Sequence, residues 1–335
     1  MTDWAMRFQP RVLQFLVPLL IVGLIGTMIF RYAHSYPQTE SPYLPISFDI
    51  SPVGHKLVFS GHGKGGSDLY LMDLQTWKVI RLMDTPTCEM NPVFTADGKS
   101  IVYSQCKAGD DACWIMSFNL ATGKANRLTH PEPPYTDTMP VCSRDGKRIA
   151  FLRTALQPVI GFGGSGTNGL DLYTMRSDGS GIRRLTSNHY YNLTAPIFTD
   201  NDRTILFCAT TPQSTDPTTH LYSMPVDGSS SPMMIDPADS RDLSLAADGK
   251  HIVLNSDRGK AHSCEVFLMQ LNGKNAHSLS VGGYCPRFTQ DGTKIFFLNS
   301  SAEGDTLLSS VTSDGSRVTK EATGTLFRTP LKWRH

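Results

Sequence analysis

A twelve-residue phrase recurs along the chain: a Pro, an apolar or aromatic pair, an Asp-Gly-Lys turn, then an apolar strand. It stands as PVFTADGKSIVY (Pro92–Tyr103), PVCSRDGKRIAF (Pro140–Phe151) and PIFTDNDRTILF (Pro196–Phe207). It returns as LSLAADGKHIVL (Leu243–Leu254) and PRFTQDGTKIFF (Pro286–Phe297), after a degenerate first copy FDISPVGHKLVF (Phe48–Phe59). The turn position falls at Val53, Asp97, Asp145, Asn201, Asp248 and Asp291, so successive copies lie 44, 48, 56, 47 and 43 residues apart. Self-similarity at such a period means stacked units that cannot bury their apolar faces alone.

A second phrase follows each copy: DLYLM (Asp68–Met72), ACWIM (Ala112–Met116), DLYTM (Asp171–Met175), HLYSM (His220–Met224), EVFLM (Glu265–Met269) and a degenerate TLLSS (Thr306–Ser310). A turn such as RSDGS and a last strand such as RRLT (Arg183–Thr186) or NRLT (Asn126–Thr129) complete the unit. Short Val/Ile/Phe/Tyr-rich runs between Gly/Asp turns are strands. Four antiparallel strands per period make one propeller blade. The expected fold is therefore all-β, a six-bladed β-propeller over residues 46–335, preceded by one N-terminal transmembrane helix. The tail TLFRTPLKW (Thr325–Trp333) is expected to pair with blade one or six and close the ring. The recurring Met reads as filler between blades rather than a metal site.

Residues 12–30, VLQFLVPLLIVGLIGTMIF, carry no charge. Nineteen residues at about 1.5 Å each span about 28 Å, close to a bilayer core. Arg7 and Arg11 precede the run, and Asp3 partly offsets them, so the charge bias puts residues 1–11 in the cytoplasm. The reading is a signal anchor at 12–30 and a Pro-rich tether at 31–45. The propeller then sits on the exported, periplasmic or extracellular, side of the inner membrane. The alternative is cleavage after the small-x-small pair Ala33 and Ser35, releasing the propeller to the periplasm. Lys+Arg is 31 and Asp+Glu 30, a formal charge of +1, which argues against a nucleic-acid partner.

The Pro-x-Phe-(Ser/Thr)-x-Asp-Gly-Lys-x-Ile phrase followed by Asp-Leu-Tyr-x-Met resembles the TolB-type propeller repeat, over roughly 275 of the 335 residues. The same repeat occurs in propellers of prolyl-oligopeptidase-like enzymes. The resemblance implies a six-bladed ring and an envelope protein or peptide as ligand, a Pal-like lipoprotein among them. TolB proteins carry an α/β domain and a partner-binding segment ahead of the propeller. Here a membrane segment and tether stand there instead, so a TolA-type contact is not expected.

Among the seven cysteines there is no CxxC pair and no zinc spacing. Cys106 ends a strand and Cys113 begins its antiparallel neighbour, so a Cys106–Cys113 disulfide is expected in an exported hairpin. Cys142 stands where other copies have Phe and reads as a small apolar residue. GFGGSG (Gly161–Gly166) matches a dinucleotide fingerprint, but it lies between two strands of one blade and reads as a loop. No G-x-S-x-G occurs, so prolyl-oligopeptidase-like catalysis is not expected. The recurrent Asp-Gly carboxylates read as turn residues rather than calcium loops. The ten His show no ligand spacing. No cofactor and no resident metal are expected.

Ligands of propellers usually sit at the channel mouth, which the resemblance places on the loops before the innermost strands: CEMN (Cys88–Asn91), YTDTM (Tyr135–Met139), YYNLT (Tyr190–Thr194), ADSRD (Ala238–Asp242) and GGYCPR (Gly282–Arg287). The candidate binding residues are Glu89, Tyr135, Asp137, Tyr190, Tyr191, Asp239, Arg241, Asp242, Tyr284 and Arg287. Tyr and Arg on loops of a rigid scaffold suit binding. The first reading is a membrane-anchored, non-catalytic module that docks a protein or peptide. Two others stand beside it. One is a channel-sited, calcium-dependent lyase or hydrolase, with Glu89, Asp137 and Asp242 converging on the cation. The other is a sensory or structural propeller assembling through residues 12–30.

Overall fold

A computed structural model describes residues 47–322, apart from 64–65, 108–111, 160–163, 200, 212–217, 259–263 and 301–305. The expected membrane segment, tether and closing tail lie outside the described residues. Among the described residues no helix is long and apolar enough to cross a membrane.

Each repeat folds as expected into one four-stranded antiparallel sheet, and each sheet is built from one contiguous stretch: residues 48–81, 88–127, 135–184, 192–236, 241–282 and 284–322. The first strand of every sheet is innermost. These six strands are Phe48–Ile50, Cys88–Phe94, Tyr135–Cys142, Asn192–Thr199, Arg241–Leu245 and Tyr284–Phe288. Each neighbours the next, and the sixth neighbours the first, so the circle closes.

The repeated phrase explains the blade locally. In blade two, Thr95 Oγ1 and the Lys99 N–H donate to Asp97 Oδ1 at 2.7 and 3.0 Å, while the Gly98 N–H reaches the Thr95 carbonyl at 2.8 Å. Gly98 has φ +65, which a residue with a side chain rarely adopts. The Thr95 hydroxyl and the Lys99 amide hold the Asp97 carboxyl below its ordinary value. The turn carboxylate is thus consumed by its own turn. The second phrase locks the outer strand. In blade three, Asp171 receives Arg184 Nη2 at 2.6 Å and the Thr186 hydroxyl at 2.8 Å, and Thr186 Oγ1 accepts the Leu172 N–H at 3.0 Å. Arg81 and Asp68 repeat the pair in blade one.

The core is six seams rather than one centre. Val58, Leu69 and Leu71 of blade one meet Ile101, Tyr103 and Met116 of blade two. The same arrangement continues around the ring. The last seam sets Phe296, Leu298 and Leu308 of blade six against Phe48, Phe59 and Met72 of blade one. Met72, Met175, Met224 and Met269 are all buried in these seams, as filler between blades should be.

Two departures are informative. The 56-residue unit spends its extra length on the middle hairpin of blade three, Arg148–Val159 against Gly164–Arg176. GFGGSG is therefore not wholly a loop. Gly164, Ser165 and Gly166 pair with Val159, Pro158 and Gln157, because the facing strand offers a ladder for their backbone groups. In blade four, Asn201-Asp202 replaces Asp-Gly, with both residues at positive φ (52 and 64). Asp202 is buried, and its carboxylate accepts the Arg144 and Asp145 N–H groups of blade three at 2.9 and 2.8 Å.

Cys106 and Cys113 join the second and third strands of blade two, with S–S 2.05 Å. Cys88, Cys142, Cys208, Cys264 and Cys285 are free thiols. A link closing so short a loop constrains the unfolded chain by about 2.5 kcal/mol. The Cys106→Ser/Cys113→Ser double variant should therefore melt roughly 5–10 °C lower by calorimetry. An unchanged Tm would mean that the link adds nothing.

Candidate functional site

The loops expected to carry the site are largely strand. Cys88–Asn91 and Tyr135–Met139 lie inside the innermost strands of blades two and three. Strand pairing turns alternate residues into the blade seams, so the ten candidates separate into three groups.

Five are part of the scaffold. Glu89 is fully buried, with Oε1 taking the hydroxyls of Thr85 (2.6 Å) and Thr87 and the Gln105 amide (3.1 Å). Burial pushes its carboxyl above the ordinary value, with the hydroxyl and amide donors opposing. Asp137 is fully buried and bidentate with Arg153, at 2.6 and 2.9 Å. Tyr190 packs its ring 5.7 Å from Phe207 and 6.0 Å from Tyr222 in the blade three–four seam. Asp239 is buried beside Arg241 Nη2 (3.2 Å), and Tyr284 packs into the seam of blades six and one. Glu89, Asp137 and Asp242 therefore do not converge as a cation site: two of them are engaged inside separate blades. Among the described residues no group of three His, Cys, Asp or Glu side chains is placed to hold a metal.

Three candidates face solvent on the mouth side. Tyr191 is 77% exposed, Tyr135 48%, and the Arg241 side chain 50%. The last two, Asp242 and Arg287, line the central channel, a cavity of about 400 Å³ whose wall takes residues from all six blades.

The channel has a structure of its own that the candidate list does not contain. The pairing of the innermost strand slips at the same place in blades two to six, between Met90 and Val93, for example, and between Tyr284 and Arg287. Asn91, Met139, Asp242 and Cys285 occupy this bulge, each with φ +51. A left-handed Met is uncommon and costs of the order of 1–3 kcal/mol, and such outliers gather where a side chain must be re-aimed. The position following the strand's Pro, or following Phe48 and Leu243 in blades one and five, forms the next ring of the wall: Asp49, Val93, Val141, Ile197, Ser244 and Arg287. At this one position blades two, three and four are apolar and blades five, six and one polar, while Asn91, Arg144 and Thr194 add polar groups to the wall of blades two to four. The signal in the sequence was the middle residue of Pro-x-Phe.

Asp49 Oδ2 accepts the Phe94 N–H at 2.9 Å. Asp242 Oδ2 accepts the Cys285 N–H at 3.3 Å and the Asn255 amide at 2.9 Å. Arg287 Nη1 donates to the Pro286 carbonyl at 2.9 Å, and its guanidinium stands 5.9 Å from the Phe48 ring. Arg144 Nη2 reaches from blade three to the Ala246 carbonyl of blade five at 2.6 Å, across part of the channel's far end. Cys142 is not simply core filler: it lines the channel, where burial, then the Asp49 charge, pushes its thiol up to about 12. Burial does the same to Cys285. Neither thiol is a nucleophile at neutral pH.

Desolvation raises the Asp49 carboxyl above 3.8, and Arg287 opposes the shift. The folded state then holds this proton more tightly than the unfolded chain. The stability Asp49 contributes when protonated is lost as pH rises above 3.8 through its folded value. Asp49→Asn keeps an acceptor for Phe94 and removes the charge. Its stability relative to wild type in urea titrations should be higher at pH 7 than at pH 4; a gap independent of pH would contradict the assignment. Asp137→Ala strands Arg153 and should cost about 3 kcal/mol in the same titrations at pH 7.

A family model described as the TolB beta propeller domain matches residues 37–163. The Tol-Pal system protein TolB of Francisella tularensis subsp. holarctica (strain OSU18) is 32% identical over 92 residues, 28% of this chain and 21% of that protein. The chain thus matches about a fifth of the length of its curated relatives. Among solved structures, TolB from Acinetobacter baumannii superposes with TM-score 0.59 at 19% identity, over 87% of this chain and 66% of that one. An oligogalacturonate lyase from Vibrio parahaemolyticus gives TM-score 0.59 at 14% identity, over 83% and 77%. Such identities speak to fold alone. With six blades built on this repeat, the described domain is a TolB-like propeller.

Proposed function

We propose that this TolB-like propeller is a non-enzymatic docking module that binds an envelope protein or peptide across its mouth. Residues 12–30 anchor it in the inner membrane, with the ring on the exported side. The observation that carries the reading is the exposure of Tyr135, Tyr191 and Arg241 on the mouth face of a framework otherwise locked by ion pairs and packed seams. Large aromatic and Arg side chains held on rigid elements are the residue types that dominate binding energy. A hairpin disulfide suits an oxidising compartment. The Tol-Pal system relatives make a Pal-like lipoprotein the first partner to try.

Calorimetry with the full chain in detergent and the soluble domain of a Pal-like lipoprotein tests this. Tyr135→Ala and Tyr191→Ala should each raise Kd roughly tenfold or more. Met233→Ala, on the exposed outer strand of blade four, should leave Kd unchanged. Absence of saturable binding, or equal effects of mouth and outer-strand variants, overturns the mouth as the docking surface.

A further inference from the structure

The channel is a second site of different chemistry. Its volume of about 400 Å³ is that of a small-molecule pocket rather than a protein footprint. The wall carries two carboxylates, Asp49 and Asp242, and two guanidinium groups, Arg144 and Arg287. Asp49, Asp242 and Arg287 are half-buried and Arg144 is exposed, and charges partly withdrawn from water are normally paired. Yet among the described residues none of these four closes an ion pair with another, although ion pairs elsewhere in the ring are common. Asp49 and Arg287 stand on adjacent blades at the same ring position, near enough to feel each other's charge but not in contact. Across from them stand Val93, Val141, Ile197 and the strained Met139, a mainly apolar surface whose polar side chains are Asn91, Thr194 and, at the far end, Arg144.

We propose that the channel binds a free short peptide of the dipeptide class, zwitterionic and with apolar side chains. Its ammonium group goes to Asp49, its carboxylate to Arg287, and its side chains to the wall of blades two to four. A ligand with both charges completes two half-satisfied groups at once, and one lacking either leaves a group unpaired. The inference rests on reading the propeller as a binding module, but it concerns a site that needs no protein partner.

L-leucyl-L-leucine is the probe, titrated calorimetrically against the full chain. Saturable binding is expected. N-acetyl-leucyl-leucine, leucyl-leucinamide and glycylglycine should each bind at least tenfold more weakly. Asp49→Asn should erase the preference for the free over the acetylated amino end, and Arg287→Gln the preference for the free carboxylate over the amide. Each ratio is taken within one variant, so a general weakening of the fold does not imitate the result. No binding of leucyl-leucine to wild type, equal binding of the blocked and free dipeptides, or ratios unchanged in the variants would overturn the proposal. A chain that binds the dipeptide but no envelope protein, or the reverse, separates this site from the docking role of the mouth.

Discussion

Everything in this ring depends on one blade covering the next. A four-stranded sheet with two apolar faces has no stable existence in water. Each blade here loses both faces to its neighbours, and each Leu or Phe so buried contributes roughly 1.5–3 kcal/mol. The demand is met only if the sixth blade finds the first. Among the described residues that seam is side-chain packing, with Phe296 and Leu298 against Phe48 and Phe59 and with Arg287 above the Phe48 ring. The polar pairs on the outer strands, Asp68 with Arg81 and Asp171 with Arg184, act one level lower. They fix the last strand of a blade to its own sheet.

The blades were legible because each was written several times. Turn Asp, turn Gly, strand residues and interblade Met recur at fixed offsets in most copies, and the copies that carry them use them alike. The site was less legible for a physical reason. A carboxylate near a strand end looks available until its partner is known, and the partners of Asp137 and Glu89 stand on the adjacent strand, sixteen residues later. Tyr190 and Tyr191 are adjacent and chemically alike, but Tyr190, bridged to Leu170, turns its ring into the seam, while Tyr191, in the bend that follows, faces solvent. The channel residues were visible in every copy of the phrase. They vary from blade to blade, as surface positions in a repeat also do, so variation alone did not distinguish them.

In one imperfect copy of the phrase the departure makes a contact of its own. Blade four gives up the Asp-Gly turn for Asn201-Asp202, at the cost of two non-glycine residues at positive φ. The carboxylate gained reaches the turn amides of blade three, those of Arg144 and Asp145. Degeneracy at that turn therefore marks a bond between units rather than decay of the repeat.

A cylinder with six identical staves would hold any guest in six indistinguishable poses. Here the residue in the Pro-x-Phe middle position, or its equivalent in the degenerate copies, runs Asp49, Val93, Val141, Ile197, Ser244, Arg287, and no rotation by a blade maps that sequence of side chains onto itself. The scaffold supplies near-rotational regularity for assembly, while this single circle of substitutions removes it where a guest would lie. Orientation along the axis and around it is then set by six residues, which substitution can retune one by one without disturbing the seams that hold the staves together.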